Sequence, residues 1–239
     1  MNILAFSGGK DSTAMTLRLA ELGEDFTLLF TPTGDELPEC EAHIFDVAKM
    51  VNRKLEIRKH KLDLFGLIEK YDSLPNNRQR WCTRQLKIEV CQAFLLEHTG
   101  STLMVGLRAD EEERQGMYGE YAKYRFPLRE WCWGIDDVYS YLDDQNIRVP
   151  ERTDCGACYD QRLSDWWKPW KRHPDRWARY EALEAKTGHT FRSPSRDTWP
   201  ASLTLLRVRF EKGDMPRGMT ALPLFNDADT SRRCRVCSM

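Results

Sequence analysis

Ser7-Gly8-Gly9-Lys10-Asp11-Ser12 puts two glycines, two hydroxyls, a cation and a carboxylate into six consecutive positions. Such a set can cradle an anion. Paired glycines let the backbone turn tightly and direct N–H groups at one point. A helix beginning near Asp11 adds the partial positive charge of its N-terminus, and Lys10 adds a full one. Ser7 and Ser12 supply hydroxyl donors. The G-x-x-x-x-G-K-[ST] spacing of a Walker loop is absent. The chemistry expected is the holding of a phosphate or pyrophosphate.

Three further segments carry reactive residue types. In Thr31-Pro32-Thr33-Gly34-Asp35-Glu36, Gly34 permits a tight turn, Thr33 can donate to a ligand, and Glu36 can cap the next helix. In Arg78-Gln79-Arg80-Trp81-Cys82-Thr83-Arg84-Gln85-Leu86-Lys87, cations surround one cysteine just ahead of a helix. That setting favours thiolate over thiol, and Arg80, Arg84 and Lys87 suit an anionic substrate. Gly106-Leu107-Arg108-Ala109-Asp110-Glu111-Glu112-Glu113-Arg114 offers Arg108 and Arg114 as phosphate or sulfate contacts. Of eight cysteines, four form two C-x-x-C pairs, Cys155/Cys158 and Cys234/Cys237. In a reducing compartment this spacing favours a metal or iron–sulfur site. Cys40 and Cys91 sit at helical positions among apolar residues and read as small core side chains.

The elements that must position these groups alternate. Strands are expected at 2–6, 26–30, 55–58 and 102–105. Helices are expected from Asp11 to Leu22, after Pro38, and near 63–71 and 84–98. This βαβα order predicts a Rossmann-like α/β fold, a parallel sheet with helices on both faces. The three Gly-containing motifs follow strands and should converge at their carboxyl ends. After about Pro150 the strand signals fade and Trp, Arg and Pro become frequent. The division expected is a nucleotide-binding domain at 1–150 and a small helical, cysteine-bearing C-terminal lobe at 151–239, with helices near 174–186 and 202–211. Residues 213–231 read as loop. The chain has 239 residues, 41% hydrophobic content and a net charge of −1, enough for one such domain with a lobe and against bulk nucleic-acid binding. No apolar run is long enough for a membrane span, and no basic-flanked leader precedes the first strand, so a cytoplasmic protein is expected. The Trp166–Tyr180 stretch interleaves aromatic and basic residues. It reads first as a packed aromatic cluster and second as a single-strand nucleic-acid surface.

The SGGKDS segment resembles the PP-loop of the adenine nucleotide alpha-hydrolase superfamily. The T-x-T-G-x-E-x-P, R-W-C-T-x-x-L-K and G-x-R-x-D-E-x-x-R segments resemble the phosphoadenosine phosphosulfate reductase family in its broad sense, which includes DNA-phosphorothioation and phage proteins. Phe126–Tyr139 resembles that family's P-L-x-x-W-x-x-x-D-V-x-x-Y stretch and reads as structural, with Asp136 capping a helix. The resemblance implies ATP and Mg²⁺, with Ser7, Gly8, Gly9, Lys10, Asp11, Ser12, Thr33, Gly34, Gly106 and Arg108 around the nucleotide. It implies cleavage between the α- and β-phosphates, with Lys10, Asp11 and Cys82 catalytic. Arg80, Arg84, Lys87 and Arg114 would hold substrate. For the cysteines it implies a [4Fe–4S] cluster on Cys82, Cys155, Cys158 and a tail cysteine. An all-cysteine zinc site on Cys155, Cys158, Cys234 and Cys237 is the alternative. The expected function is adenylation of an acceptor, as in thiolation of tRNA or DNA with a sulfur-donor protein. The intact loop, and the absence of a Glu-Cys-Gly-x-His segment, turn the reading away from sulfate reduction. A thiol-dependent reductase of phosphoadenosine phosphosulfate or adenylylsulfate and a non-catalytic nucleotide binder remain the alternatives. Oligomeric state is not legible.

Overall fold

Neighbouring strand residues in this chain point to opposite faces of a sheet, and both faces are buried. The computed structural model describes residues 1–111 and 122–217. Strands β1 (Asn2–Ala5), β2 (Thr27–Phe30), β3 (Leu55–Ile57), β4 (Thr102–Met104) and β5 (Lys123–Arg125) form one sheet in the order β3-β2-β1-β4-β5, every pairing parallel. Leu4, Leu28 and Met104 face one side, where Met15, Leu19, Ile44, Leu128 and Val138 cover them. Ile3, Leu29 and Leu103 face the other, under Phe94 and Leu95. A parallel sheet covered on both faces needs near-continuous apolar strands. The inner strands supply them; the edge strands do less, β3 with Glu56 at its middle and β5 as Lys123-Tyr124-Arg125. Its lack of an apolar run hid it from sequence reading, and Arg125 there ion-pairs with Glu24 and Glu130.

Helix α1 (Lys10–Glu21) follows β1, α2 (Pro38–Met50) follows β2, and α3 (Leu64–Tyr71) follows β3. Asp63 caps α3 by accepting from Gly66 N at 2.8 Å. A three-residue α4 (Trp81–Thr83) passes through a π-helical turn (Arg84–Ile88) into α5 (Glu89–Glu97). Helices α6 (Pro127–Glu130) and α7 (Ile135–Asp144) pack on α1's side of the sheet. The cap of α7 is Gly134 N donating to Asp137 Oδ2 at 2.8 Å, so Asp137 fills the role expected of Asp136.

Beyond 150 come α8 (Leu163–Arg172), α9 (Pro174–Thr187) and α10 (Leu203–Glu211). Helix α8 escaped the sequence reading because Pro169 sits inside it. Pro169 has no N–H to give the Asp165 carbonyl, and Arg152 Nη1 donates there instead, at 3.2 Å. Trp166 and Trp177 are fully buried with Tyr180, Phe191 and Phe210, so the packed-cluster reading holds for them. This core also takes Leu64, Ile68, Leu74 and Leu86 from the first part of the chain. No helix among the described residues is long and apolar enough to cross a membrane.

Candidate nucleotide and thiol site

The strand order reverses between β1 and β4, and the Ser7–Ser12 loop leaves β1 at that point. Gly8 has φ +71°, the left-handed region that glycine enters freely. A Cβ there would also meet Ile44 of α2 at 2.7 Å. The loop is knotted to itself: Ser12 Oγ donates to Gly9 O at 3.0 Å, and the Ser7 and Ser12 hydroxyls lie 3.2 Å apart. Gly106, just past β4, comes so close that a Cβ would lie 3.3 Å from Ser12 N. Two of the three expected motifs therefore meet here.

Asp11 is almost fully buried beneath the loop, between two cations. Arg108 Nη1 donates to both of its carboxylate oxygens at 3.1 Å, and Lys10 Nζ donates to Oδ2 at 3.0 Å. Arg108 also binds Asp110 and Glu111. These acidic neighbours raise the Arg108 guanidinium further, against the opposing pull of burial. Arg108 thus braces the loop from below. His43 on α2 hydrogen-bonds Thr13 of α1 at 3.1 Å, and burial pushes its imidazole below the ordinary value. No sequence motif had marked His43.

The Thr31–Glu36 turn is closed by Glu36, which accepts from Thr33 N (2.6 Å), Thr33 Oγ1 (2.7 Å) and Gly34 N (2.9 Å). Glu36 thus closes its own turn and does not cap α2, whose N-cap is Leu37. Asp35, passed over in the sequence, is the hub beside it. Its carboxylate accepts from Ala157 N (2.7 Å), Tyr180 Oη (2.8 Å) and Arg176 Nη1 (3.0 Å), and its carbonyl accepts from Gly156 N (2.8 Å). Burial raises the Asp35 carboxyl even though Tyr180, Ala157 and Arg176 all favour the charged form. The Cys155–Cys158 loop is therefore fastened onto the β2 turn. Arg152 and Gln161 hold its other side, at Cys155 O (3.0 Å) and Gly156 O (2.6 Å). Thr153 reaches the Ser7–Ser12 loop, 3.2 Å from where a Gly9 Cβ would stand.

These contacts place Cys82, Cys155 and Cys158 on one pocket with Thr33, Arg80 and Lys87. Arg84 is not there: it is exposed and pairs with Glu89. Arg114, Cys234 and Cys237 lie outside the described residues. Burial pushes the Cys82 thiol up, more than Thr83 and Lys87 draw it down, opposite to the expected lowering. The reason is geometric: of the flanking arginines only Arg80 lines the pocket. Cys155 and Cys158 act on each other: the neighbouring thiol and burial raise Cys155, and the same neighbour lowers Cys158 against the pull of its burial. Lys87 would be lowered by its burial, but Cys155, Glu36, Asp154 and Cys158 together raise it. Among the described residues no three His, Cys, Asp or Glu side chains form a metal-binding group. Both expected metal arrangements also call on a tail cysteine, Cys234 or Cys237, outside the described residues.

A Rossmann-like sheet with a glycine loop at its switch point defines a nucleotide-handling α/β protein. Residues 1–156 match the phosphoadenosine phosphosulfate reductase domain family, and the chain belongs to that family. An uncharacterized protein of Methanocaldococcus jannaschii is 27% identical over 170 residues, 64% of this chain, and the matched part spans 40% of that relative's length. The structure is similar to a phosphoadenylyl-sulfate reductase of Candida auris solved as a phosphate complex, with TM-score 0.52 and 18% identity over 63% of this chain and 75% of that one. It is similar more loosely to an NMN synthetase of Francisella tularensis, with TM-score 0.47 and 14% identity over 94% of this chain and 89% of that one.

Proposed function

We propose that the protein cleaves ATP between its α- and β-phosphates and adenylates an acceptor, within a sulfur-transfer reaction on a nucleic acid such as tRNA or DNA. The observation that carries this reading is the intact Ser7–Ser12 loop at the switch point, with Lys10 and Arg108 gathered on buried Asp11. The N–H groups of Gly8 and Gly9 and the N-terminus of α1 would hold the β- and γ-phosphates. Lys10 would leave Asp11 for the leaving pyrophosphate and offset the charge that develops there. Asp11 would help hold Mg²⁺, which would supply positive charge to offset that of the ATP phosphates. Thr33 and Gly34 would line the nucleotide on the β2 side. Cys82, Arg80 and Lys87 stand on the neighbouring wall, where sulfur can meet the adenylated acceptor as AMP leaves. A cytoplasmic location suits this use of ATP and free thiols.

Turnover of ATP with bulk tRNA or duplex DNA as acceptor tests the reading. Lys10→Ala is expected to lower it by at least ~100-fold, the scale of losing one preorganised charge at a reaction centre. Unchanged turnover in that variant rules the assignment out. The thiols beside the loop also favour a second reading, reduction of phosphoadenosine phosphosulfate or adenylylsulfate. Sulfite release from either compound with a dithiol donor, and no ATP turnover, would decide for it.

A further inference from the structure

The pocket carries a chemistry that ATP cleavage does not use. Cys158 N donates to Cys155 O at 3.2 Å, closing a turn around Gly156 and Ala157. A four-residue turn holds its end Cα atoms within about 7 Å, and a disulfide asks for ~4.4–6.8 Å. Asp35, Arg152 and Gln161 fix the loop in this shape. Arg80 and Lys87 share this wall with Asp154 and Asp160, a lining of mixed charge. We propose that Cys155 and Cys158 form a dithiol–disulfide exchange centre for a polar low-molecular-weight disulfide.

The exchange balances without a metal or nucleotide. One cysteine, as thiolate, attacks a sulfur of the small disulfide; its S–S bond breaks and the departing thiolate takes up a proton. The second cysteine gives up its proton, attacks the first and expels the other small thiol. The pair loses two electrons and two protons, and the small disulfide gains them. This inference stands apart from the ATP reading, and its test contains no nucleotide.

The tryptic peptide Thr153–Arg162 holds both cysteines and no other. The full chain is reduced, exposed to graded oxidised glutathione, alkylated and digested. The expected product is that peptide two hydrogen masses lighter and closed to alkylation, returning to the dithiol with dithiothreitol. Cys155→Ser and Cys158→Ser should each stop at a stable glutathione adduct on the remaining cysteine. A peptide that stays doubly alkylated at ratios that modify the exposed Cys132 overturns the proposal. So does equimolar iron or zinc in anaerobically purified protein that either serine variant loses. Either result leaves the ATP reading standing.

Discussion

Asp35 accepts three hydrogen bonds on a carboxylate that is 1% exposed, so its removal should be felt. Asp35→Ala leaves Arg176 and Tyr180 without their partner and frees Ala157 N. Breaking such a buried set costs about 3 kcal/mol, to be read in urea unfolding. Gly156 gives a sharper test. A Cβ there would stand 2.2 Å from Tyr180 Oη and 3.3 Å from the ring carbon that bears it. Gly156→Ala should destabilise by ~1–3 kcal/mol, as overpacking does, and Tyr180→Phe should recover part of that loss by removing the colliding oxygen. A cycle showing strictly additive effects would contradict this packing. None of this was visible in the sequence, because Asp35, Gly156 and Tyr180 meet only across long loops. What could be read there was local: Gly8, Gly9 and Gly34 in their turns, and the cysteine spacings. The pairing of Arg108 with Asp11, 97 positions apart, and the burial that raises the Cys82 thiol depend on the fold.

Elements followed their apolar periodicity closely where they had one. The buried strands β1, β2 and β4 and helices α1, α2, α9 and α10 fall close to the predicted spans, because burial on two faces or along one stripe leaves a pattern. Strand β5, charged at a sheet edge, lacked that pattern; helix α8 has an apolar stripe through Trp166 and Pro169, but the proline reads as a helix breaker, and Arg152 satisfies the carbonyl it leaves open. The π turn at Arg84–Ile88, which carries Lys87, leaves no pattern either. Helix α9 makes a pH prediction. Glu184 is buried and accepts from Phe191 N and Leu203 N, tying α9 to α10; burial, above all, pushes its carboxyl up to about 7. The unfolded chain releases this proton near the ordinary glutamate value of about 4.3, the folded chain only near 7. Its contribution is therefore fully present below the lower value and is lost as pH rises to neutrality. Thermal unfolding between pH 5 and 8 should show stability falling across that window, and Glu184→Gln should flatten the slope. An equally steep slope in the variant would assign the effect elsewhere.

At the scale of the molecule, the sheet places the Ser7–Ser12 loop and a thiol pocket side by side, joined through Thr153, Asp35 and the β2 turn. The loop is the chain's strongest signal, and its position at the strand-order switch is the centre of this account. The α-phosphate of ATP reports on it most directly. ATP labelled at that position, turned over with the nucleic-acid acceptor, should yield labelled AMP or a labelled adenylate together with unlabelled pyrophosphate. Labelled ADP with inorganic phosphate would place the cut at the wrong bond and contradict the account.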